Sequence, residues 1–200
     1  MSMKDVVAYL TGVGNTTWSR VVMERAQKAL LAEIKPNTLH GLEISGTNWK
    51  DLGLASYRTV AFPEFDICAG PLTEQFDLIL ADQVWEHLLW PYRATRNVLA
   101  MLKPGGYFMV SVPFLIRLHG YPIDCSRWSE LGLKHFLAEC GFPLESVQTG
   151  SWGNRGSIRA SFKSWRQYVP WLHSLRNEPD FPQVVWALAQ KPHEPVVPPR

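Results

Sequence analysis

The chain has 200 residues, 46% of them hydrophobic, enough for one substantial core in one large domain or two small ones. Its formal charge is only +2, with Lys and Arg scattered, so composition gives no argument for nucleic acid or an anionic membrane as partner. No apolar run is long enough to span a bilayer, and Met1 to Leu10 lacks the basic-then-apolar pattern of a signal peptide. Three cysteines (Cys68, Cys125, Cys140) without metal-ligand spacing read as reduced thiols of a cytoplasmic protein.

In chain order, Gly12-Val13-Gly14 has no strand before it and reads as a flexible lead-in, not a phosphate loop. Trp18, Val22, Ala26, Leu30 and Ile34 recur four apart and predict an amphipathic helix closed by Pro36-Asn37. Leu39 to Ile44 reads as the first strand of a sheet. Tyr57 to Glu64 and Phe65 to Cys68 read as two short strands joined without a full helix. Phe76 to Gln83 is a short apolar run suited to a strand buried on both faces. Pro91 opens a helix with Ala94, Val98, Met101 and Leu102 on one face. Lys103-Pro104-Gly105-Gly106 ends it, the lysine supplying a cation for the helix's negative end. Tyr107 to Phe114 is a second buried strand. This strand–helix–strand unit is the building block of a doubly wound α/β sheet.

Residues 115–128 are less regular, and Ser126 is placed to cap a helix that buries Leu133, Phe136, Leu137 and Cys140. Gly141-Phe142 supplies its stop. A strand is expected over 144–149, a loop from Ser151 to Gly156, a partly helical insertion from Trp165 to Leu175, and a last strand from Gln183 to Lys191. Pro192 to Arg200 holds four prolines in nine residues and reads as a disordered tail. With no internal repeat, residues 1–191 read as a single domain.

Phe76-Asp77-Leu78-Ile79, then Val84-Trp85-Glu86-His87-Leu88, then Leu102-Lys103-Pro104-Gly105-Gly106-Tyr107 resemble, in order and spacing, the class I S-adenosylmethionine-dependent methyltransferases. They match that family's fourth strand, following helix and fifth strand, with Leu42-Glu43-Ile44 upstream as the first. The resemblance implies a single, mostly parallel Rossmann-like sheet with an antiparallel last strand beside the fifth, and S-adenosylmethionine as cofactor. The helix over 18–35 would lie over the cofactor cleft or simply cover a sheet edge. Cofactor contacts belong at the carboxyl ends of the strands, which selects Glu43, Ser45, Gly46, Glu64, Asp66, Asp82, Gln83 and Val84. The family follows its first strand with a Gly-x-Gly turn and then a helix; here the turn is Ser45-Gly46-Thr47, so it is either rebuilt or binds the cofactor less well. Glu64, 21 residues beyond Glu43, suits the ribose hydroxyls, and Asp66 the ribose or adenine. Alternatively both are solvated loop carboxylates.

Methyl transfer asks mainly for placement of an acceptor, with removal of its proton where needed. His87 opens a helix in the family pattern and reads as a packed or capping residue. His119 and Asp124 follow the strand whose end faces the methyl group and are the catalytic candidates, His119 as general base. Arg127, Trp128 and Trp152 are candidates for the acceptor pocket. The bland alternative makes His119, Asp124 and Arg127 a hydrogen-bonded loop brace. No metal cluster is visible in the spacing. The expected function is methylation of a small molecule on oxygen, nitrogen or carbon by a monomer or homodimer, without nucleic-acid or membrane partners. The aromatic residues of 121–171 suit an apolar or ring-bearing acceptor. Two rivals remain: a fold that binds cofactor without turnover, and a protein or RNA methyltransferase. Against the latter stand the absence of a basic stripe and Asp82-Gln83-Val84-Trp85, where those families often carry an Asn-Pro-Pro-Tyr type of signature.

Overall fold

A computed structural model describes residues 16–193. Its six strands are β1 (His40–Ile44), β2 (Ser56–Val60), β3 (Phe76–Asp82), β4 (Leu102–Pro113), β5 (Val147–Trp152) and β6 (Val184–Gln190). They form one sheet in the order β2-β1-β3-β4-β6-β5. β2, β1, β3 and β4 are parallel neighbours, and β6 runs antiparallel to both β4 and β5. This is the doubly wound, mostly parallel sheet with an antiparallel last strand that the sequence predicts, and no helix lies between β2 and β3.

Alternation along the central strands feeds two apolar layers. Ile79, Ala81, Phe108 and Val110 face helices α2 (Pro91–Met101) and α3 (Glu130–Glu139), which contribute Ala94, Val98, Leu133 and Phe136. Leu78, Leu80, Met109 and Leu188 face the other way, toward Leu31 of helix α1 (Trp18–Glu33). The start of α1 is held separately: Trp18 and Met23 pack with Trp152, Val184 and Trp186. α1 is therefore anchored at the carboxyl end of β5 and the start of β6, and it passes over the edge where β3 and β4 end.

Several local readings shift. The fully buried row of α1 is Ser19, Met23, Gln27 and Leu31, one residue round from the expected stripe, whose members Val22, Ala26 and Leu30 are half-buried beside it. Lys103 does not serve the end of α2: it pairs with Asp77 at 2.9 Å, and Lys191 donates instead to Leu99 O and Leu102 O at 2.9 and 2.6 Å. α3 is capped by Ser129, which accepts from the Gly132 amide at 3.1 Å, because Ser126 is drawn back by its own amide onto Glu86 O. The stop at Gly141 is as expected, with φ at +114° and the Phe142 amide bonded to Leu137 O.

Only one strand forms between 56 and 69, since turns occupy residues 62–64 and 67–69. A 3₁₀ turn (Leu144–Ser146) precedes β5, which extends to Trp152. There an Asn154–Ser157 capping box starts helix α4 (Arg155–Ala160) inside the expected loop. The segment 165–175 contains turns and an isolated bridge, no helix. Gly12-Val13-Gly14 and most of the proline-rich stretch lie outside the described residues.

Candidate active site

A cleft of about 500 Å³ opens at the carboxyl ends of β3 and β4. Its lining includes Ser19, Arg20, Met23 and Glu24 from α1, and Gln83, Glu86 and His87 from the turn after β3. His119 from the loop after β4, Trp165 and Val184 also line it. The α1 side is tied down where the Trp18 amide donates to Arg166 O at 2.9 Å and the Tyr168 amide to Thr16 O at 3.0 Å. Those two bonds bring Trp165 beside the start of α1.

The turn after β1 is rebuilt around Glu43. Its carboxylate is buried and accepts from the Asn48 amide (2.9 Å), the Trp49 amide (3.0 Å) and the Tyr57 hydroxyl (2.7 Å). Burial, then the carboxylate beside it, push the Tyr57 hydroxyl well above the usual phenol range. One side chain thus holds both amides, and turns, not a helix, lead on to β2. Ser45 takes the left-handed conformation (φ +59°), and its amide donates to Val60 O at 2.7 Å. At Gly46 a Cβ would lie 2.5 Å from Glu43 Oε1, so glycine is required there by the carboxylate.

At the end of β3, the Asp82 side chain is almost fully enclosed. It accepts from Arg20 of α1, from Ser111 Oγ of β4, and from Asn48 Nδ2 at 3.2 Å. One carboxylate therefore joins α1, the β1 turn, β3 and β4. Gln83, also left-handed (φ +59°), turns its amide toward Ser111 Oγ at 3.2 Å.

The next corner is built differently. Glu86, in a 3₁₀ turn (Trp85–His87), is fully buried, yet neither carboxylate oxygen has a hydrogen-bond partner among the described residues. Burial pushes its carboxyl up to about 8. Glu86 Oε1 faces His87 Nε2 at 3.6 Å and His119 Nε2 at 3.9 Å. The two imidazoles meet edge to face, 4.9 Å between centroids. Burial and then His87 hold the His119 imidazole below the usual histidine range.

The loop carrying His119 folds back onto this turn. The Cys125 and Ser126 amides donate to Glu86 O (2.8 and 3.3 Å), and His87 Nδ1 bonds Ile123 O. Asp124 accepts the His119 amide at 2.8 Å and a two-pronged contact from Arg127. Burial alone would raise the Asp124 carboxyl, but Arg127 and the His119 amide outweigh it and hold it low.

The model of the methyltransferase domain family matches residues 11–110, half of the chain and the half that contributes most of the cleft. The chain belongs to the S-adenosylmethionine-dependent methyltransferases. Solved structures agree on the fold. A methyltransferase of Mesorhizobium loti is 16% identical over 84% of this chain and 96% of its own, with a TM-score of 0.56. One from Archaeoglobus fulgidus is 14% identical over 95% and 100%, at 0.53. Phosphoethanolamine N-methyltransferase 2 of Haemonchus contortus, solved with S-adenosylmethionine, is 11% identical over 84% of this chain and 52% of its own, at 0.54. No curated protein matches the chain.

The residues of this methyltransferase fit its cofactor along the α1 side of the cleft. Arg20 and Glu24, 3.7 Å apart, offer opposite charges suited to an amino-acid carboxylate and ammonium, and Gln83 adds a side-chain amide. The volume lies in the range of small-molecule sites. The β1 turn offers less than the family pattern implies, because Glu43 is spent within it. Val84 is buried in the main core. Glu64 and Asp66 sit exposed beyond the end of β2, and Asp66 Oδ1 already accepts the Cys68 amide at 2.8 Å.

On the acceptor side, His119 lines the cleft, while Asp124 and Arg127 brace its loop. Trp128 packs on Phe136 at 5.0 Å between centroids. Trp152 is enclosed, with its indole N–H donated to Leu175 O at 3.0 Å. Neither tryptophan lines the cleft, because each is needed to seat a helix. Sequence reasoning did not single out Glu86 or Arg20, which line the cleft, and His87, expected as a packed or capping residue, is half-buried and bonded to Ile123 O. The adjacent Glu86-His87 pair was the signal available, but its burial depends on a loop some thirty residues downstream.

Proposed function

We propose that this methyltransferase acts on a small molecule, at an oxygen, nitrogen or carbon atom placed beside His119, whose ring meets Trp165 edge to face at 5.7 Å between centroids. The observation that carries this reading is the Glu86–His87–His119 corner, a set of titratable groups with unspent hydrogen-bonding capacity lining the cofactor cleft. The cofactor supplies an activated methyl group. The protein's part is to hold its amino-acid end at Arg20, Glu24 and Gln83, with Glu64 reaching the ribose, and to leave the acceptor facing His119. His119, positioned by the Asp124 bond to its amide, takes the acceptor's proton, either itself or into the Glu86 cluster. Asp124 and Arg127 are positioning residues. A macromolecular acceptor is the less favoured reading, since among the described residues Arg20 is the only Lys or Arg that lines the cleft.

The test is release of S-adenosylhomocysteine across a panel of small phenols, alcohols and amines, beside pooled RNA and protein. Turnover is expected with members of the first group. His119→Ala is expected to cut it about 10²–10⁴-fold, with S-adenosylhomocysteine affinity held within about two-fold. Turnover confined to RNA or protein, or full activity in His119→Ala, overturns the reading.

A further inference from the structure

We propose that Glu86, His87 and His119 form a binding site for a divalent transition-metal cation at the acceptor end of the cleft. Two imidazole nitrogens and one carboxylate suit manganese, iron, cobalt or zinc better than magnesium or calcium, which prefer all-oxygen shells. The three donor atoms lie within 4.8 Å of one another.

Hydrogen bonding fixes what faces what. Ile123 O is a carbonyl and can only accept, so His87 Nδ1 carries a proton and donates it there. In the neutral ring, Nε2 is then an unprotonated lone pair. That lone pair points at Glu86 Oε1, another acceptor, 3.6 Å away. His119 Nε2 stands 3.9 Å from the same oxygen. Acceptors held together in a buried place require something positive between them, a proton or a cation. A backbone carbonyl on Nδ1 is also the outer partner that metal-ligating histidines use to present Nε2.

Donors bound at about 2.0–2.2 Å to one cation lie roughly 3–3.5 Å apart, so the pairs at 3.6 and 3.9 Å need to close by less than about 1 Å. The two imidazole nitrogens, which lie within 4.8 Å, draw together as the side chains turn toward the cation. The framework is already held in place. Glu86 is fully buried, its main-chain oxygen pinned by the Cys125 and Ser126 amides, and the His119 amide is held by Asp124. All three ligands line the cleft, so open coordination positions face the space for the acceptor. An acceptor hydroxyl or amine bound there would lose its proton to water more readily; in the cation-bound form His119 is a ligand, and the base role proposed above belongs to the cation-free form. This consequence rests on the function proposed above; cation binding itself does not.

Purified protein, stripped with EDTA and dialysed, is titrated with Co²⁺ and followed by its visible spectrum, then with Zn²⁺ by calorimetry, without cofactor. One equivalent is expected, with imidazole-type d–d bands and a dissociation constant of micromolar order. Glu86→Gln and His119→Ala are each expected to weaken binding at least ten-fold, while Cys125→Ser, which removes the exposed thiol, leaves it unchanged. Absence of binding up to about millimolar Co²⁺, or binding indifferent to both substitutions, overturns the site. Turnover that survives EDTA alongside absent binding would reject the cation while leaving methyl transfer intact. Failure of methyl transfer with normal Co²⁺ binding would do the reverse.

Discussion

Glu43 and Glu86 are both buried glutamates at the carboxyl edge of the same sheet, and their surroundings are opposite. The oxygens of Glu43 take three donors and hold a turn shut. Those of Glu86 take none and look into the cleft beside two imidazoles. A buried carboxylate that is fully bonded belongs to the architecture. One left unbonded costs the fold several kcal/mol if charged and is retained where chemistry uses it. The methyltransferase thus keeps spare bonding capacity in the corner after β3, while the corner after β1 has its own satisfied.

The comparison can be broken most directly by removing each side chain. Glu43→Ala leaves the buried Trp49 amide and the half-buried Tyr57 hydroxyl unpaired, at about 1–3 kcal/mol each, while the exposed Asn48 amide can turn to water. It is expected to lower unfolding stability by roughly 2–5 kcal/mol in urea. Glu86→Gln, measured the same way in chelator, is expected to stay within about 1 kcal/mol of the parent or to gain, because no donor loses its partner. Equal losses in the two variants would erase the distinction. A smaller effect sharpens it: Gly46→Ala drives a methyl group against Glu43 Oε1 and is expected to cost about 1–3 kcal/mol. Since the clash is with that carboxylate, Gly46→Ala added to Glu43→Ala is expected to cost little more than Glu43→Ala alone.

The smallest effect is a pH dependence away from the site. Burial would raise the Asp77 carboxyl, but the His40 amide and Lys103 outweigh it and hold it below its ordinary 3.8. A carboxyl lowered by folding stabilises the native state above its unfolded value, and that contribution is lost as pH falls through the folded one. Asp77→Asn is expected to cost about 1 kcal/mol at neutral pH, with the two stability curves converging below about pH 3. A constant gap down to pH 2 would show that the interaction is not ionic.

Local signals carried most of the fold. Runs such as Phe76–Asp82, the spacing of Ala94, Val98 and Met101, and the glycine at 141 act within one or two turns of chain, and each was legible. What failed was long-range. Lys103 looked like the partner of the α2 terminus, but Lys191 arrives from 89 residues away and occupies it. The turn after β1 could be seen to depart from its family, yet not that Glu43 would replace the missing helix, since this depends on Tyr57 lying alongside in β2. His119 was expected near the cleft from its position after β4, and it lines it. Glu86 was read only as part of the start of a helix, because its burial depends on the 119–127 loop that folds back over it.

The order of strands in the sheet also bears on how the cleft is closed. β5 pairs along its length with β6, which is inserted between β4 and β5. The start of α1 rests on Trp152, Val184 and Trp186, so this helix settles only against strands far from it in sequence. Val184 is itself part of the cleft wall. β1 to β4 can pair with one another, but the wall of the cleft is complete only once β6 has joined β4 and α1 has docked against it.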